Sequence, residues 1–140
     1  EFGALFGRRY GGLAEPYRCE GAKAVLVTLG SVTSTAREVV DRLRQQGHAV
    51  GLLRLRALRP FPAQEIREIL GGAEVVAVLD RNCSFGLEGV VCTEVKAALY
   101  GLARPPQVLG FISGLGGQDI SQADIEEIFR HALSFSAGRR

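Results

Sequence analysis

Short apolar runs alternate with helix-like segments four times along this chain of 140 residues. The run at residues 24–29 is continuous, which is typical of a strand buried on both faces. Ala36, Val39, Val40 and Leu43 follow it at the spacing of one face of an amphipathic helix. The same pair of patterns recurs from residues 48, 75 and 107. Such β–α units usually pair as parallel strands with helices on both faces, so this alternation constrains the fold strongly.

We therefore predict a three-layer α/β/α domain over residues 23–140, built on a mostly parallel sheet of four to five strands. Residues 1–22 are rich in Gly, Arg and aromatic residues and show no helical spacing, so we interpret them as an N-terminal arm. Pro16 marks a break in the arm, and residues 17–19 after it are a candidate for a short edge strand. Such a strand would run antiparallel to its neighbour.

Polar residues and glycines mark the expected helix ends. Thr35 and Glu38 have the spacing of a capping box, and Ser121 and Asp124 repeat that spacing before the last helix. Gly47 stands where a C-terminal cap is expected. The prolines of residues 60–62 end the second strand, and Pro62 suits the first turn of the next helix.

Composition excludes several classes of protein. The 17 basic and 15 acidic residues give a net charge of +2, too even for a nucleic-acid-binding surface. The apolar runs are far shorter than the roughly 20 residues of a membrane span, so we expect no membrane association. The three cysteines are widely spaced and form no Cys-x-x-Cys pair, which predicts no metal or iron–sulfur site. A reducing, cytoplasmic location is the simplest interpretation.

Methionine is absent, including at position 1. We therefore expect the sequence to be a segment of a longer chain or a processed product.

Ligands of open α/β sheets bind beyond the carboxyl ends of the strands. In this chain those ends lead into loops 30–35, 57–62, 80–88 and 113–120. The first loop combines a glycine, hydroxyl groups and a helix N-terminus, which together can bind an anion. Gly30, Ser31 and Thr33 are the candidate residues, although ordinary helix capping explains the same residues and is the interpretation that we favour.

The other three loops lack a catalytic constellation. Arg59 follows a strand within a proline-fixed turn, where it can bind an anion or lie at an interface. Asp80 can pair with Arg81 or cap backbone amides. The glycines of residues 114–117 permit a tight turn or close contact with another domain. We predict no catalytic residue and no metal ligand.

Several motifs in combination resemble a known family. They are residues 26–31, residues 51–56 running into Arg59-Pro60-Phe61-Pro62, residues 76–82, and residues 110–117 with the loop Gly114-Leu115-Gly116-Gly117. Over most of its length the chain is similar to core domain II of the alpha chain of pyruvate:ferredoxin oxidoreductase and related 2-oxoacid:ferredoxin oxidoreductases. That domain is akin to the C-terminal domain of transketolase-like enzymes.

The resemblance implies a non-catalytic scaffold domain of a thiamine diphosphate-dependent enzyme. Such an enzyme converts pyruvate or a related 2-oxoacid and coenzyme A to acyl-coenzyme A and carbon dioxide, and it reduces ferredoxin. Thiamine diphosphate, Mg²⁺ and the 4Fe–4S clusters are expected elsewhere in the parent enzyme, so the isolated domain is expected to be inactive. Its partners would be the other domains and subunits, with ferredoxin a partner only indirectly. The candidate interface residues are Arg59, Phe61, Asp80, Arg81, Asn82, Gly114, Gly116 and Gly117.

Two alternatives remain open. One is a C-terminal domain of a transketolase or 2-oxoacid dehydrogenase, in which ferredoxin is not the electron acceptor. The other is a stand-alone small anion-binding module that uses loop 30–35.

Overall fold

A computed structural model of the protein describes residues 5, 7 and 11–137. Residues 11–137 form five strands and four α-helices. In chain order they are β1 (Ala14–Tyr17), β2 (Ala24–Leu29), α1 (Val32–Gln45), β3 (Val50–Leu55), α2 (Ala63–Leu70), β4 (Val75–Asp80), α3 (Val90–Leu99), β5 (Gln107–Ile112) and α4 (Gln122–Ala137). A short 3₁₀ turn, Leu115–Gly117, precedes α4. None of the helices in these residues is both long and apolar enough to cross a membrane.

The five strands form one sheet in the order β1-β3-β2-β4-β5. Strands β2 to β5 are parallel, and β1 pairs antiparallel with β3. This arrangement confirms the predicted sheet and its antiparallel edge strand. The edge strand lies three residues earlier than predicted, at Ala14–Tyr17, because Arg18 adopts a left-handed backbone conformation (φ +52°) that ends the extended segment.

Two apolar layers cover the faces of the sheet, because successive residues of a strand point to opposite faces. On one face, Val25 and Val27 of β2 belong to a buried cluster with residues of α2 and α3. On the other face, Ala24 and Leu26 belong to a cluster with residues of α1 and α4. This arrangement confirms the predicted three-layer α/β/α architecture.

The two edges of the sheet differ in character. Strand β1 has four residues and includes Glu15 and Pro16, both of which discourage pairing with a further strand. Strand β5 has six residues, Gln-Val-Leu-Gly-Phe-Ile, without a charge or a proline. It pairs only with β4 on its inner side, so its outer edge is open within the described residues.

The last helix begins as predicted. Ser121 and Asp124 form a reciprocal capping box, in which the Ser121 N–H donates to Asp124 Oδ2 (2.8 Å) and the Asp124 N–H donates to Ser121 Oγ (3.2 Å). Gly47 also behaves as predicted, with a φ of +88° just after α1 and its N–H donating to the Arg44 carbonyl (3.0 Å).

The capping box predicted at Thr35 and Glu38 is wrong. Helix α1 begins at Val32, so both residues lie inside it. The Glu38 carboxylate instead accepts a hydrogen bond from Gln122 Nε2 (2.5 Å) at the start of α4. A tertiary contact therefore uses the side chain that the local pattern assigned to a cap.

Much of the predicted arm is part of the folded body. The Ala14 N–H donates to Glu65 Oε2 (3.1 Å), and the Leu13 carbonyl accepts from the Arg56 N–H (2.8 Å). Residues 1–4, 6 and 8–10 of the arm lie outside the described residues. The boundary predicted between residues 22 and 23 remains a prediction.

Arginine side chains join elements that are distant in sequence. Arg44 of α1 donates to the carbonyl of Val50 (2.5 Å), where β3 begins, and to the carbonyl of Arg18 (2.6 Å), just after β1, which ties the helix to both segments. Arg67 of α2 donates to the carbonyls of Ala98 (2.8 Å) and Tyr100 (2.9 Å) and so satisfies the C-terminal end of α3. The planar guanidinium suits this role because it presents several donors in a fixed geometry.

We predict that Gly51→Ala lowers the free energy of unfolding by about 2 kcal/mol, as overpacking of a core does. An added Cβ at Gly51 would lie 2.8 Å from the Arg18 carbonyl oxygen and 3.0 Å from the Cys19 Cα, both backbone atoms of the adjacent loop. Gly72→Ala is the matched control: it has no neighbour within 4 Å and should change the value by less than about 0.5 kcal/mol. Urea unfolding followed by circular dichroism measures both, and equal stability of the two variants would contradict the packing argument.

Candidate functional site

The carboxylate of Asp80, at the end of β4, caps helix α3. Its Oδ1 accepts the N–H of Val91 (3.0 Å) and its Oδ2 accepts the N–H of Cys92 (2.9 Å). The side chain is only 2% exposed, so its negative charge is compensated by these two donors and by the positive end of the helix. The structure therefore confirms that Asp80 caps backbone amides and places its carboxylate in the interior rather than on the surface.

Two neighbours complete this cap. Asn82 Oδ1 accepts the Val90 N–H (3.1 Å), so three consecutive N–H groups of the helix start have side-chain partners. Gly89 leaves the space that the Asp80 carboxylate fills, since a Cβ there would lie 2.2 Å from Asp80 Cγ. The three N–H groups at the N-terminus of α3 therefore already have side-chain acceptors in this chain and are not available to a ligand.

Arg81 joins the loop after β4 to the loop after β5. Its Nη2 donates to the carbonyls of Gly114 (3.5 Å) and Gln118 (3.4 Å). The Ser113 N–H also donates to the Asp80 carbonyl (3.1 Å). Gly114 needs its glycine, because its φ is +75° and a Cβ would lie 2.8 Å from Arg81 Nε. Loops 80–88 and 113–120, which the sequence presents as separate candidates, thus form one surface.

Gly116 and Gly117 lie on the exposed side of that surface. Their φ angles are +65° and +85°, and no atom approaches the place of a Cβ at either residue. Their backbone is therefore open to contact with another surface, which fits the predicted tight turn. Their contact with a partner remains a prediction.

Large apolar side chains on the same two loops are exposed. Phe85 is fully exposed, Leu87 is 62% exposed, Leu115 is 51% exposed, and Ile112 at the end of β5 is 41% exposed. We call these four residues the apolar patch. None of the four was predicted as a functional candidate from the sequence, although Phe85, Leu87 and Leu115 stand in glycine-containing loops outside the periodic segments.

Arg59 and Phe61 lie beside α3 but make different contacts. Arg59 Nη2 forms an ion pair with Glu94 Oε1 of α3 (2.5 Å) while most of its side chain stays exposed. Phe61 is half-buried and packs against the cluster beneath α2 and α3. The Arg59–Pro60 peptide bond between them is cis. Of the two, Arg59 is the one available at the surface.

The loop 30–35 is organised by threonine hydroxyls. Thr33 Oγ1 donates to the Gly30 carbonyl (2.8 Å) and lies 3.0 Å from Thr28 Oγ1. Thr33 is buried, and the Ser31 side chain forms no capping hydrogen bond. Thr33 therefore holds the turn into α1, and its hydroxyl is not displayed to an anion.

The three cysteines lie in different environments. Cys92 is buried, its Sγ donates to Glu88 Oε2 (3.3 Å), and desolvation together with this carboxylate raises the pKa of the thiol to about 12. Burial also raises the pKa of the Cys19 thiol, which donates to the Leu52 carbonyl (3.2 Å). Cys83 is exposed. Among the residues that the structure describes, no group of three or more His, Cys, Asp or Glu side chains is placed to hold a metal ion.

Comparison with known proteins gives consistent similarities. The family described as pyruvate:ferredoxin oxidoreductase core domain II matches residues 22–125. The chain is 55% identical over 130 residues to pyruvate synthase subunit PorA of Methanothermobacter thermautotrophicus, covering 93% of this chain and 33% of that protein. It is 44% identical over 128 residues to ketoisovalerate oxidoreductase subunit VorA of Pyrococcus horikoshii, covering 91% of this chain and 32% of that subunit. The chain thus spans about a third of the length of these curated relatives.

Solved structures support the same fold. A 2-oxoglutarate:ferredoxin oxidoreductase from Magnetococcus marinus superposes with a TM-score of 0.67 at 20% identity, over 96% of this chain and 21% of that one. A split-gene transketolase superposes with a TM-score of 0.63 at 19% identity, over 83% of this chain and 40% of that one. At these identities the likeness shows the transketolase-like architecture of the sheet and helices, not an activity.

We predict that Asp80→Ala lowers the free energy of unfolding by about 3 kcal/mol, because two buried N–H groups lose their partner at about 1–3 kcal/mol each. Asp119→Ala, on the exposed part of loop 113–120, is the matched control and should change it by less than about 0.5 kcal/mol. Chemical denaturation measures both variants. A loss of similar size in both variants would contradict the stabilising role of the Asp80 cap.

We predict that iodoacetamide at about pH 8 modifies Cys83 alone in the folded protein, because the other two thiols are shielded and hold their protons. Mass spectrometry of the intact chain should show a single addition, and peptide mapping should place it at Cys83. All three cysteines should react after unfolding in urea. A second addition under native conditions would contradict the expected protection of the Cys19 and Cys92 thiols.

Proposed function

Because the chain belongs to the pyruvate:ferredoxin oxidoreductase core domain II family, we propose that it is a scaffold and interface domain of a thiamine diphosphate-dependent 2-oxoacid:ferredoxin oxidoreductase. The parent enzyme converts pyruvate or a related 2-oxoacid and coenzyme A to acyl-coenzyme A and carbon dioxide, and electrons pass to ferredoxin. The similarity to both a pyruvate synthase subunit and a ketoisovalerate oxidoreductase subunit supports this range of substrates.

The apolar patch carries the scaffold role. Phe85, Leu87 and Leu115 lie on the two loops at the carboxyl end of the sheet, and Ile112 is the last residue of β5. None of the four contributes to the two buried clusters. Apolar side chains concentrated at one place on a surface mark an interaction site more often than a solvated surface. Since the chain spans about a third of its relatives, the remaining domains or subunits of the parent enzyme are the proposed occupants.

We propose that the side chains of this domain take no part in the chemistry of the cofactors. An iron–sulfur cluster needs several thiolates at one place. Here Cys92 is buried and its thiol donates to Glu88, the thiol of the partly buried Cys19 donates to the Leu52 carbonyl, and Cys83 lies exposed in loop 80–88. These residues do not fit a cluster. We propose that thiamine diphosphate, Mg²⁺ and the clusters bind to other parts of a cytoplasmic parent enzyme and that ferredoxin reaches this domain only indirectly.

A chimera tests this function. The matching third of the Methanothermobacter PorA subunit is replaced by this chain, and the holoenzyme is assayed for coenzyme A-dependent pyruvate oxidation with ferredoxin as acceptor. We expect the chimera to assemble and to keep activity, while the 140-residue chain alone shows none. Pyruvate oxidation by the isolated chain would overturn the scaffold role. A folded chimera that fails to assemble would overturn its membership of this enzyme.

We predict that the double substitution Phe85→Ser and Leu115→Ser weakens assembly of the chimera at least tenfold. Both side chains are exposed in this chain and would be buried on assembly, and burial of two such side chains contributes well over the 1.4 kcal/mol that corresponds to about a tenfold change. Tyr100→Ser is the matched control, because Tyr100 is 84% exposed but lies after α3 at the opposite end of the sheet. Analytical ultracentrifugation measures the fraction assembled. Equal assembly of the two variants would contradict the proposed interface.

A further inference from the structure

Three arginines converge on one carboxylate near the carboxyl ends of β2 and β3. Glu15 Oε2 accepts from Arg56 Nε (3.1 Å) and Nη2 (2.6 Å), and Glu15 Oε1 accepts from Arg37 Nη2 (2.5 Å). Arg54 Nη1 lies 3.6 Å from Glu15 Oε2. We call these four residues the arginine cluster. Three positive charges against one negative charge leave it with a net charge of +2.

The backbone fixes the positions of these side chains. Glu15 and Arg54 are direct partners in the β1–β3 ladder, and Arg56 continues from the end of β3. Arg37 projects from α1 with its guanidinium carbon 5.2 Å from the centre of the Tyr17 ring. Tyr17 is itself held, because its hydroxyl donates to Asp41 (2.9 Å). The cluster is therefore ordered before any ligand arrives, which lowers the entropic cost of binding.

The arginines have hydrogen-bonding capacity left over. The 3.6 Å separation between Arg54 and Glu15 is too long for a hydrogen bond, so this pair interacts only through charge. The Nε atoms of Arg37 and Arg54 are buried and have no hydrogen-bond partner among the described residues. The hydrogen bonds to Arg56, with the contribution of Arg37, hold the pKa of the Glu15 carboxyl below its usual value, so Glu15 stays charged at neutral pH.

An open cavity of about 460 Å³ adjoins the cluster, lined by Leu29, Gly30, Arg54, Leu55 and Arg56. This volume is in the range of small-molecule sites. None of these five lining residues is acidic. Gly30 has a φ of +85° and nothing within 4 Å of the place of its missing Cβ, so a ligand can approach the backbone before α1. The cavity therefore combines two arginines with an accessible glycine turn.

We propose that the arginine cluster and this cavity bind the phosphate group of a small-molecule ligand. A phosphate monoester carries a charge between about −1.5 and −2 near neutral pH, which balances the excess of +2. Its oxygens match the paired N–H groups of arginine. The positive end of the fourteen-residue α1 adds to the attraction without being the basis of the site. Of the anion-binding candidates in loop 30–35, Gly30 belongs to this site, whereas the Thr33 hydroxyl is already used.

Calorimetric titration of the 140-residue chain with inorganic phosphate, at ionic strength held constant with sodium chloride, tests the proposal. We expect saturable binding that Arg54→Ala weakens about tenfold, the usual scale for losing a charge-assisted contact. Arg54 is the informative position because it forms no hydrogen bond to Glu15, so its loss should leave the fold intact. Arg104→Ala, which removes an exposed arginine outside the cluster, is the matched control and should bind as the parent chain does.

Glu15→Gln provides a test in the opposite direction. It keeps the shape of the side chain but removes the competing negative charge, so phosphate should bind several-fold more tightly, although the variant itself is less stable. Weaker binding by this variant, no saturable heat, or an equal effect of Arg104→Ala would each overturn the proposal. Citrate binding as tightly as phosphate would overturn the assignment to a phosphate group. The measurement needs no oxidoreductase activity, so its failure is distinct from failure of the proposed function.

Discussion

The hydrogen bonds from the start of α3 to the Asp80 carboxylate are the interaction on which the loops at the carboxyl end of β4 and β5 depend. A buried carboxylate is stable only where donors replace its hydration, and the N–H groups of Val91 and Cys92 provide them. Because Asp80 ends β4, this pair of bonds sets the position of α3 relative to the sheet. Residues 81–89 form the loop that connects β4 to α3, and its apolar side chains Phe85 and Leu87 are exposed.

The same interaction extends to the neighbouring strand. The Asp80 main chain accepts the Ser113 N–H, and Arg81 binds two carbonyls of loop 113–120. One strand end therefore orders two loops, and the apolar patch lies across both. The proposed phosphate site is at the other half of the same sheet end, beside β2 and β3. The two sites consequently share the carboxyl end of the sheet but use different chemistry, apolar contact in one and charge in the other.

The sequence allowed most of the fold to be predicted, because strand runs, helical spacing and the Ser121–Asp124 box are local patterns. The capping box predicted at Thr35 and Glu38 is wrong because Gln122, distant in sequence, donates a hydrogen bond to the Glu38 carboxylate.

The candidate site was harder to predict. Asp80 was recognised as a candidate cap. The cap also needs a glycine at residue 89, because a Cβ there would occupy the space of the Asp80 carboxylate, and no sequence pattern indicates that contact. Exposure of Phe85 and Leu115 depends on which loops the finished sheet leaves uncovered, and no periodicity encodes that.

The unequal edges of the sheet have a consequence for how such a domain can be made. Strand β1 is protected by its charge and its proline, whereas β5 presents six uncharged residues whose outer edge is unpaired in the part of the chain that the structure describes. Addition of a further strand, the route to ordered aggregates, is therefore less hindered at β5 than at β1. During synthesis, we therefore expect the chain to be most prone to aggregation after β5 has formed and while its outer edge is still exposed. Chaperone binding would protect the chain best at that stage.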